Sequence, residues 1–308
     1  MPDLSVQLAP RHRRGLLLKN PVLTASGTFG YGLEYAELFD IQKLGAIVCK
    51  GTTLYPRPGN PQPRLAETPA GVLNSIGLQN MGVETLIEQV APVWAGWKVP
   101  VIVNIAGETI GEYAQVASRL DRVPGVAALE VNISCPNMAA GGLEFGTSPR
   151  LAAEVTAAVK RSTSLPVIVK LSPNVADIAE IGVAVAGAGA DALTAINTLK
   201  GMAIDIKKRC PLLGNRYGGL SGPAIKPVAL YMVYELAAMV EIPVIGCGGI
   251  ATAEDALEFI MAGASAVQVG SAGFSNPEAA LEVLAGIEAF LEREGIRSLS
   301  ELIGVARR

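Results

Sequence analysis

Among 308 residues the chain has one histidine, His12. A single imidazole cannot build a histidine-based catalytic triad or a multi-histidine metal site. His12 stands between Arg11 and Arg13-Arg14 and reads as a solvated surface residue. Proton transfer therefore falls to Cys, Lys, Tyr, Asp or Glu. Cysteine is also scarce. Cys49, Cys135, Cys210 and Cys247 are far apart with no CxxC pair, which excludes a disulfide framework, a zinc knuckle and an iron–sulfur cluster. No GxGxxG follows a strand, so no dinucleotide-binding turn is expected. Long apolar runs are missing. The weakly polar stretch 181–190 is ten residues, rich in Gly and Ala, and too short to span a bilayer. Leu16-Leu17-Leu18 after the arginines is too little for a signal-peptide core. The net charge is -3 with both signs mixed, which leaves no basic footprint for nucleic acid. These absences predict a soluble cytoplasmic protein that acts on a small molecule and uses no metal.

What is present is a rhythm. Short apolar runs recur at 22–25, 46–49, 99–105, 129–133, 167–171, 192–196, 244–246 and 266–269. Most are continuous rather than alternating, as in strands buried on both faces. Between most of them lie stretches with apolar residues at three-to-four spacing: 83–97, 113–120, 149–161, 176–186, 226–239, 253–261 and 277–292. Ser148-Pro149, Thr252 and Asn276-Pro277 are good helix starts. Eight strands with intervening helices predict one α/β domain over 1–308, a (β/α)8 TIM barrel. A doubly wound open sheet is the competing architecture. Segments 4–8 and 15–19 suit an N-terminal β-hairpin across the barrel's bottom. Three extended segments, 52–81, 135–148 and 199–223, leave the opposite face and are long enough for a pocket and a lid.

The barrel is favoured because the eight runs end alike. At or just past their C-terminal ends stand Ser26, Lys50, Asn104, Asn132, Lys170, Asn197, Gly248-Gly249 and Gly270-Ser271. Barrel active sites lie on that face. The glycines at strands seven and eight fit a phosphate site, because glycine lets backbone amides approach the oxygens closely. Lys50 and Lys170 end apolar strands and should project into the mouth, where a cation neutralises a substrate carboxylate or a reduced cofactor. Asn104, Asn132 and Asn197 offer donor and acceptor together, which suits a heterocycle with alternating NH and C=O groups. Each of these also has a plain reading, as surface lysine, tight turn or strand-terminal asparagine. Cys135 lies before Pro136-Asn137, a turn at the functional face, and with histidine excluded it is the leading candidate base. Cys49 and Cys247 read as small buried hydrophobes. Cys210 has no assignable role.

Residues 25–30 (Ala-Ser-Gly-Thr-Phe-Gly), 74–80 (Asn-Ser-Ile-Gly-Leu-Gln-Asn), 132–137 (Asn-Ile-Ser-Cys-Pro-Asn) and 246–249 (Gly-Cys-Gly-Gly) resemble, in order, motifs of the dihydroorotate dehydrogenases. The similarity covers essentially the whole chain. It implies an FMN enzyme that oxidises (S)-dihydroorotate to orotate in de novo pyrimidine (UMP) biosynthesis. Cysteine at the base position places the chain in the soluble class 1; class 2 enzymes use serine and carry an N-terminal extension. Residues 141–146 (Gly-Gly-Leu-Glu-Phe-Gly) look like subtype 1B, whose catalytic subunit pairs with an electron-transfer subunit carrying FAD and a 2Fe–2S cluster and passes electrons to NAD. A homodimer at the centre of a heterotetramer follows from the same likeness.

By this resemblance Ser26, Lys50, Gly51, Asn104, Asn132, Lys170, Ile196, Gly222, Gly248, Gly249, Gly270 and Ser271 hold FMN. Lys50, Asn74, Ser75, Ile76, Gly77, Leu78, Asn132, Asn197 and Thr198 hold the pyrimidine. Cys135 takes the C5 proton, hydride leaves C6 for the flavin, and Lys170 stabilises the charge that develops there. Ser75 and residues 138–140 depart from the usual pattern, which leaves the lid's details open. Other readings stay open beside this one. They are a fumarate-linked subtype 1A enzyme, a phosphate-binding Schiff-base lyase with Lys170 as nucleophile, and a non-catalytic ligand-binding barrel.

Overall fold

The computed structural model describes residues 2–134, 136–137 and 143–307. Its centre is a parallel sheet of strands β1 (Val22–Thr24), β2 (Ile47–Val48), β3 (Val101–Ile105), β4 (Val126–Asn132), β5 (Val167–Lys170), β6 (Ala192–Ala195), β7 (Val244–Cys247) and β8 (Ala266–Val269). Each strand pairs with the next in sequence, and β8 pairs back onto β1. The seam between β1 and β2 is thinner. It holds by Gly45 N–H to Val22 O (2.9 Å), Thr24 N–H to Ala46 O (3.3 Å) and Val48 N–H to Thr24 Oγ1 (3.0 Å). These bonds close a (β/α)8 barrel. Every residue of β1, β2, β3, β5, β6, β7 and β8 is buried. That is why their sequences are mostly Val, Ile, Leu and Ala rather than alternating apolar and polar.

Helices cover the outside: α1 (Leu33–Ala36), α2 (Val83–Thr85), α3 (Ala91–Trp94), α4 (Ile110–Leu120), α5 (Pro149–Ser162), α6 (Ile178–Gly187), α7 (Lys226–Met239), α8 (Ala253–Ala262) and α9 (Ala279–Glu294). The predicted stretch 83–97 divides into α2, a π turn at Leu86–Val90, and α3. Pro92 explains the division: it has no N–H for the carbonyl four residues back, and its ring crowds that carbonyl. Ser148 Oγ accepts from Leu151 N–H, and Thr252 forms a capping box with Asp255, so two of the three predicted helix starts hold. The third does not. Asn276 Oδ1 takes the Glu278 N–H in a turn, and α9 starts only at Ala279. The unit between β1 and β2, for which no helix is predicted, holds the short α1 and a 3-10 turn Ile41–Lys43 capped by Asp40.

The hairpin Val6–Gln7 with Leu17–Leu18 lies under the barrel. Arg11 pairs with Glu241, just before β7, and Arg14 donates to Ser164 Oγ (2.7 Å), just before β5. His12 is half-buried rather than solvated, its Nδ1 accepting from Arg14 N–H (3.1 Å), and burial pushes its pKa down. Two of the three extended segments, 52–81 and 199–223, expected only as pocket and lid, form a four-stranded antiparallel sheet; 135–148 lies partly outside the described residues. The order of that sheet is Leu199–Gly201, Gly218–Ser221, Gly71–Asn74, Leu65–Thr68. The chain after β6 is thereby zipped to the chain after β2. Among the described residues no helix is long and apolar enough to cross a membrane.

Candidate active site

Lys170 ends β5 inside the barrel, with its side chain 5% exposed. Its ammonium meets Ser26 Oγ at 3.4 Å, Gln268 Oε1 at 3.2 Å and Cys247 Sγ at 3.9 Å, and Glu130 Oε1 lies 3.8 Å away. Glu130, on β4, is wholly buried. It accepts from Asn104 Nδ2 (2.7 Å), Thr194 Oγ1 (2.9 Å) and Gln268 Nε2 (2.6 Å). Burial opposes the Lys170 charge, but the Cys247 sulfur and the Glu130 carboxylate outweigh it and hold the ammonium above the ordinary lysine range. The Cys247 thiol is itself pushed up by burial, despite the Lys170 ammonium beside it. A lysine held so firmly protonated is a poor amine nucleophile, which argues against the Schiff-base reading. Cys247 is buried as expected, yet it touches the site rather than merely filling space.

Lys50 differs. It is half-buried at the end of β2, with no acceptor for its ammonium among the described residues. Burial, helped by the Arg64 guanidinium, pushes its pKa down. Desolvation without a partner leaves this cation ready for an anion in the mouth. Gly51 follows, where a Cβ would stand 3.1 Å from Asn104 Oδ1 and 3.2 Å from Leu78 Cδ2. The end of β2, the end of β3 and the 74–78 loop thus converge. Arg64 shapes that loop, donating to Asn60 O, Pro58 O and Gln79 Oε1 at 2.6 to 2.9 Å. Asn60 in turn donates to buried Ser75 Oγ (2.9 Å) and takes Ile76 O on its backbone N–H (3.0 Å). Gly77 lies beside Asn60.

Asn132 and Asn197 meet: Asn197 Nδ2 reaches Asn132 Oδ1 (3.1 Å) and Ser134 Oγ (3.0 Å). Tyr113 Oη donates to the Asn132 carbonyl (2.6 Å), and Thr198 N–H donates to Asn197 Oδ1 (2.8 Å). The Asn132 Nδ2 is left without a partner among the described residues. Asn74 donates to Gly219 O (3.2 Å), and Thr198 packs against Gly219, so the cap sheet carries both to the same place. Cys135 lies outside the described residues. Its neighbours do not: Ser134 is held by Asn197, and Pro136–Asn137 pairs with Leu143–Glu144.

At the other side of the mouth the N–H groups of Gly222, Gly248, Gly249, Gly270 and Ser271 have no hydrogen-bond partner among the described residues. Gly249 (φ 78°) could carry no side chain, because a Cβ would stand 2.8 Å from Lys226 N and 2.9 Å from Gly222 O. Gly222 (φ 98°) is equally tight, 2.7 Å from Gly71 Cα. Unpaired amides gathered at strand ends suit an anion such as a phosphate. Ile196, whose N–H bonds Cys247 O (2.7 Å), sits between that cradle and Lys170's strand.

Sequence reasoning passes over Glu130, Thr194, Gln268 and Arg64. The signal for the first three is a polar residue inside an otherwise apolar barrel strand, which costs stability unless partnered. Among the described residues no cluster of His, Cys, Asp and Glu could hold a metal. Fold and site define a barrel with an anion cradle, a buried cation and a mouth of asparagines under a cap sheet. The family model for dihydroorotate dehydrogenase matches residues 11–291, and the chain belongs to that family. It is 60% identical over 294 residues, 96% of each chain, to the protein of Desulforudis audaxviator named dihydroorotate dehydrogenase B (NAD(+)), catalytic subunit. Proteins of the same name from Desulforamulus reducens (62% over 287 residues, 93% of this chain and 94% of that one) and Pelobacter propionicus (57% over 303, 98% of each) are also similar.

Proposed function

We propose that this chain oxidises (S)-dihydroorotate to orotate in de novo pyrimidine synthesis, as the catalytic subunit of a subtype 1B enzyme with FMN bound noncovalently. The observation that carries this reading is the row of unpaired amides beside the buried Lys170 in a chain of this family. The residues present fit the cofactor. Gly222, Gly248, Gly249, Gly270 and Ser271 would hold its phosphate. Ser26, Lys50, Gly51, Asn104, Asn132, Lys170 and Ile196 would hold the ring system. The whole of 1–308 would act as one FMN-binding domain.

Bound FMN supplies the acceptor for the hydrogen and electron pair that leave C6 of the substrate. The other steps belong to this chain. Lys50 neutralises the substrate carboxylate. Asn74, Ser75, Ile76, Gly77, Leu78, Asn132, Asn197 and Thr198 hold the pyrimidine edge, the free Asn132 Nδ2 donating to a ring carbonyl. Cys135, as thiolate, takes the C5 proton, and the C5–C6 double bond forms as both hydrogens depart. Lys170 provides a fixed positive charge where negative charge gathers. The cap sheet excludes water from the mouth.

Electrons leave by a docked subunit carrying FAD and a 2Fe–2S cluster, with NAD as final acceptor, two such subunits flanking a homodimer in the cytoplasm. The relatives' names, catalytic subunit and NAD(+), support this, as does the lack of any GxGxxG in the sequence. The test is purification alone and with co-expressed partner candidates. The released cofactor should be FMN by mass, and dihydroorotate should bleach the bound flavin. Artificial dyes should be reduced by the lone chain, and NAD only with the partner. FAD, or no flavin in folded protein, overturns the cofactor. NAD reduction by the lone chain overturns the partner, and efficient fumarate turnover moves the chain to subtype 1A.

A further inference from the structure

Glu130 is an acidic side chain wholly buried in the barrel, and it has no role in the chemistry above. Burying a carboxylate is expensive, and a buried ion pair commonly gains no net stability over a well-packed apolar pair. Net stability therefore does not account for an acidic residue at this position. Its bonds show a division of labour. Asn104 Nδ2 and Thr194 Oγ1, from β3 and β6, pin the carboxylate. Gln268 Nε2 donates to Glu130 Oε2 at 2.6 Å. This fixes the Gln268 amide so that its Oε1 faces the Lys170 ammonium at 3.2 Å. The carboxylate itself lies 3.8 Å from that ammonium. Lys170 is thus met by Glu130 directly and by an amide that Glu130 orients, and these contacts aim it at Ser26 on the mouth side.

We propose that Glu130 is a positioning residue that acts through Lys170, fixing the place of the ammonium among the residues that would hold FMN. The inference rests on the flavin reading above. Glu130→Gln replaces an acceptor with a group that must present one NH2 among donors. The Gln268 amide then loses the carboxylate that fixes it at 2.6 Å, and the ammonium loses its anionic neighbour while keeping Ser26 Oγ and Cys247 Sγ.

The test is a double-mutant cycle on full-length protein: wild type, Glu130→Gln, Lys170→Met and the double variant. Two quantities are read, the dissociation constant of FMN from titration of apoprotein and the midpoint potential of the bound flavin. Glu130→Gln should weaken FMN at least tenfold. If the two oxidation states differ tenfold in that loss, the potential moves by about 30 mV for two electrons. With Met at position 170, Glu130→Gln should change FMN affinity less than twofold and leave the potential unmoved. Equal effects in the two backgrounds, or no effect of Glu130→Gln at all, overturn the proposal. If Glu130→Gln does not fold, Glu130→Asp takes its place in the cycle. It keeps the charge one methylene further back, and its smaller loss must also vanish with Met at position 170. A folded wild type that takes up no FMN sinks the flavin reading instead, a different outcome from a failed cycle.

Discussion

Lys50 and Lys170 end strands of the same barrel, and their surroundings push them in opposite directions. Lys170 has a counter-charge and stays firmly protonated. Lys50 has none, and burial and Arg64 lower its pKa. A site that binds an anion through Lys50 loses affinity when that ammonium deprotonates. Orotate binding should therefore weaken as pH rises, at a pH below the ordinary lysine value, and Lys50→Met should abolish that dependence; a flat orotate affinity up to pH 10.5 in the wild type would rule Lys50 out. The cysteines divide as well. Cys135→Ser should keep FMN and fold but slow flavin reduction roughly 10²–10⁴-fold, with residual activity favouring high pH because a hydroxyl is the weaker acid. A wild-type rate in a stopped-flow trace would remove Cys135 as base. In that Cys135→Ser background, thiol reagents should label exposed Cys210 at once. They should reach neither Cys247 nor Cys49, whose thiol burial pushes up to about 12, until the chain unfolds.

Among the elements, the cap sheet and the glycine turns are the ones on which the proposed function rests. A Cβ at Gly219 would stand 1.9 Å from Thr198 Oγ1, so Gly219→Val must push Thr198 and its strand aside. The cap residues are half-buried while the barrel strands are buried. The change should therefore raise KM for dihydroorotate tenfold or more and leave the thermal midpoint nearly unmoved. A large loss of stability would instead make the cap part of the fold's core. Helix α8 offers the opposite case. Thr252→Ala removes its capping box with Asp255 and should cost about 1 kcal/mol in urea titration. FMN affinity should not change, because the box bonds the amides of Thr252 and Asp255 and not those of Gly248 and Gly249.

For the whole molecule, closure is the vulnerable point. The other strand pairs share ladders, but β1 and β2 meet through a single bridge and a threonine side chain. Thr24→Val keeps the shape and deletes the acceptor for Val48 N–H, at a cost of about 1–3 kcal/mol for an unpaired buried amide. Urea unfolding should show that loss together with faster hydrogen exchange on β1 and β2. Protection left unchanged would mean that closure comes from packing. The eight strands themselves were legible in the sequence to within a few residues, because strands buried on both faces must be apolar throughout and the barrel repeats them. The rim residues were legible for the same reason: a polar residue at the end of an apolar run has nowhere to go but the mouth. The divided helix at Pro92 and the late start of α9 were not, since each depends on which backbone groups find partners in space. Glu130, Gln268 and Thr194 stand inside apolar runs on different strands, and nothing local says that they meet. The cap sheet joins segments more than a hundred residues apart, 71–74 and 218–221. Periodicity along the chain was enough to draw the barrel and to place polar residues at the ends of its strands, because it is a local property. Tertiary structure alone decided which lysine meets an acidic partner and which segments join in the cap sheet, because partnering is set by distance in space and not along the chain.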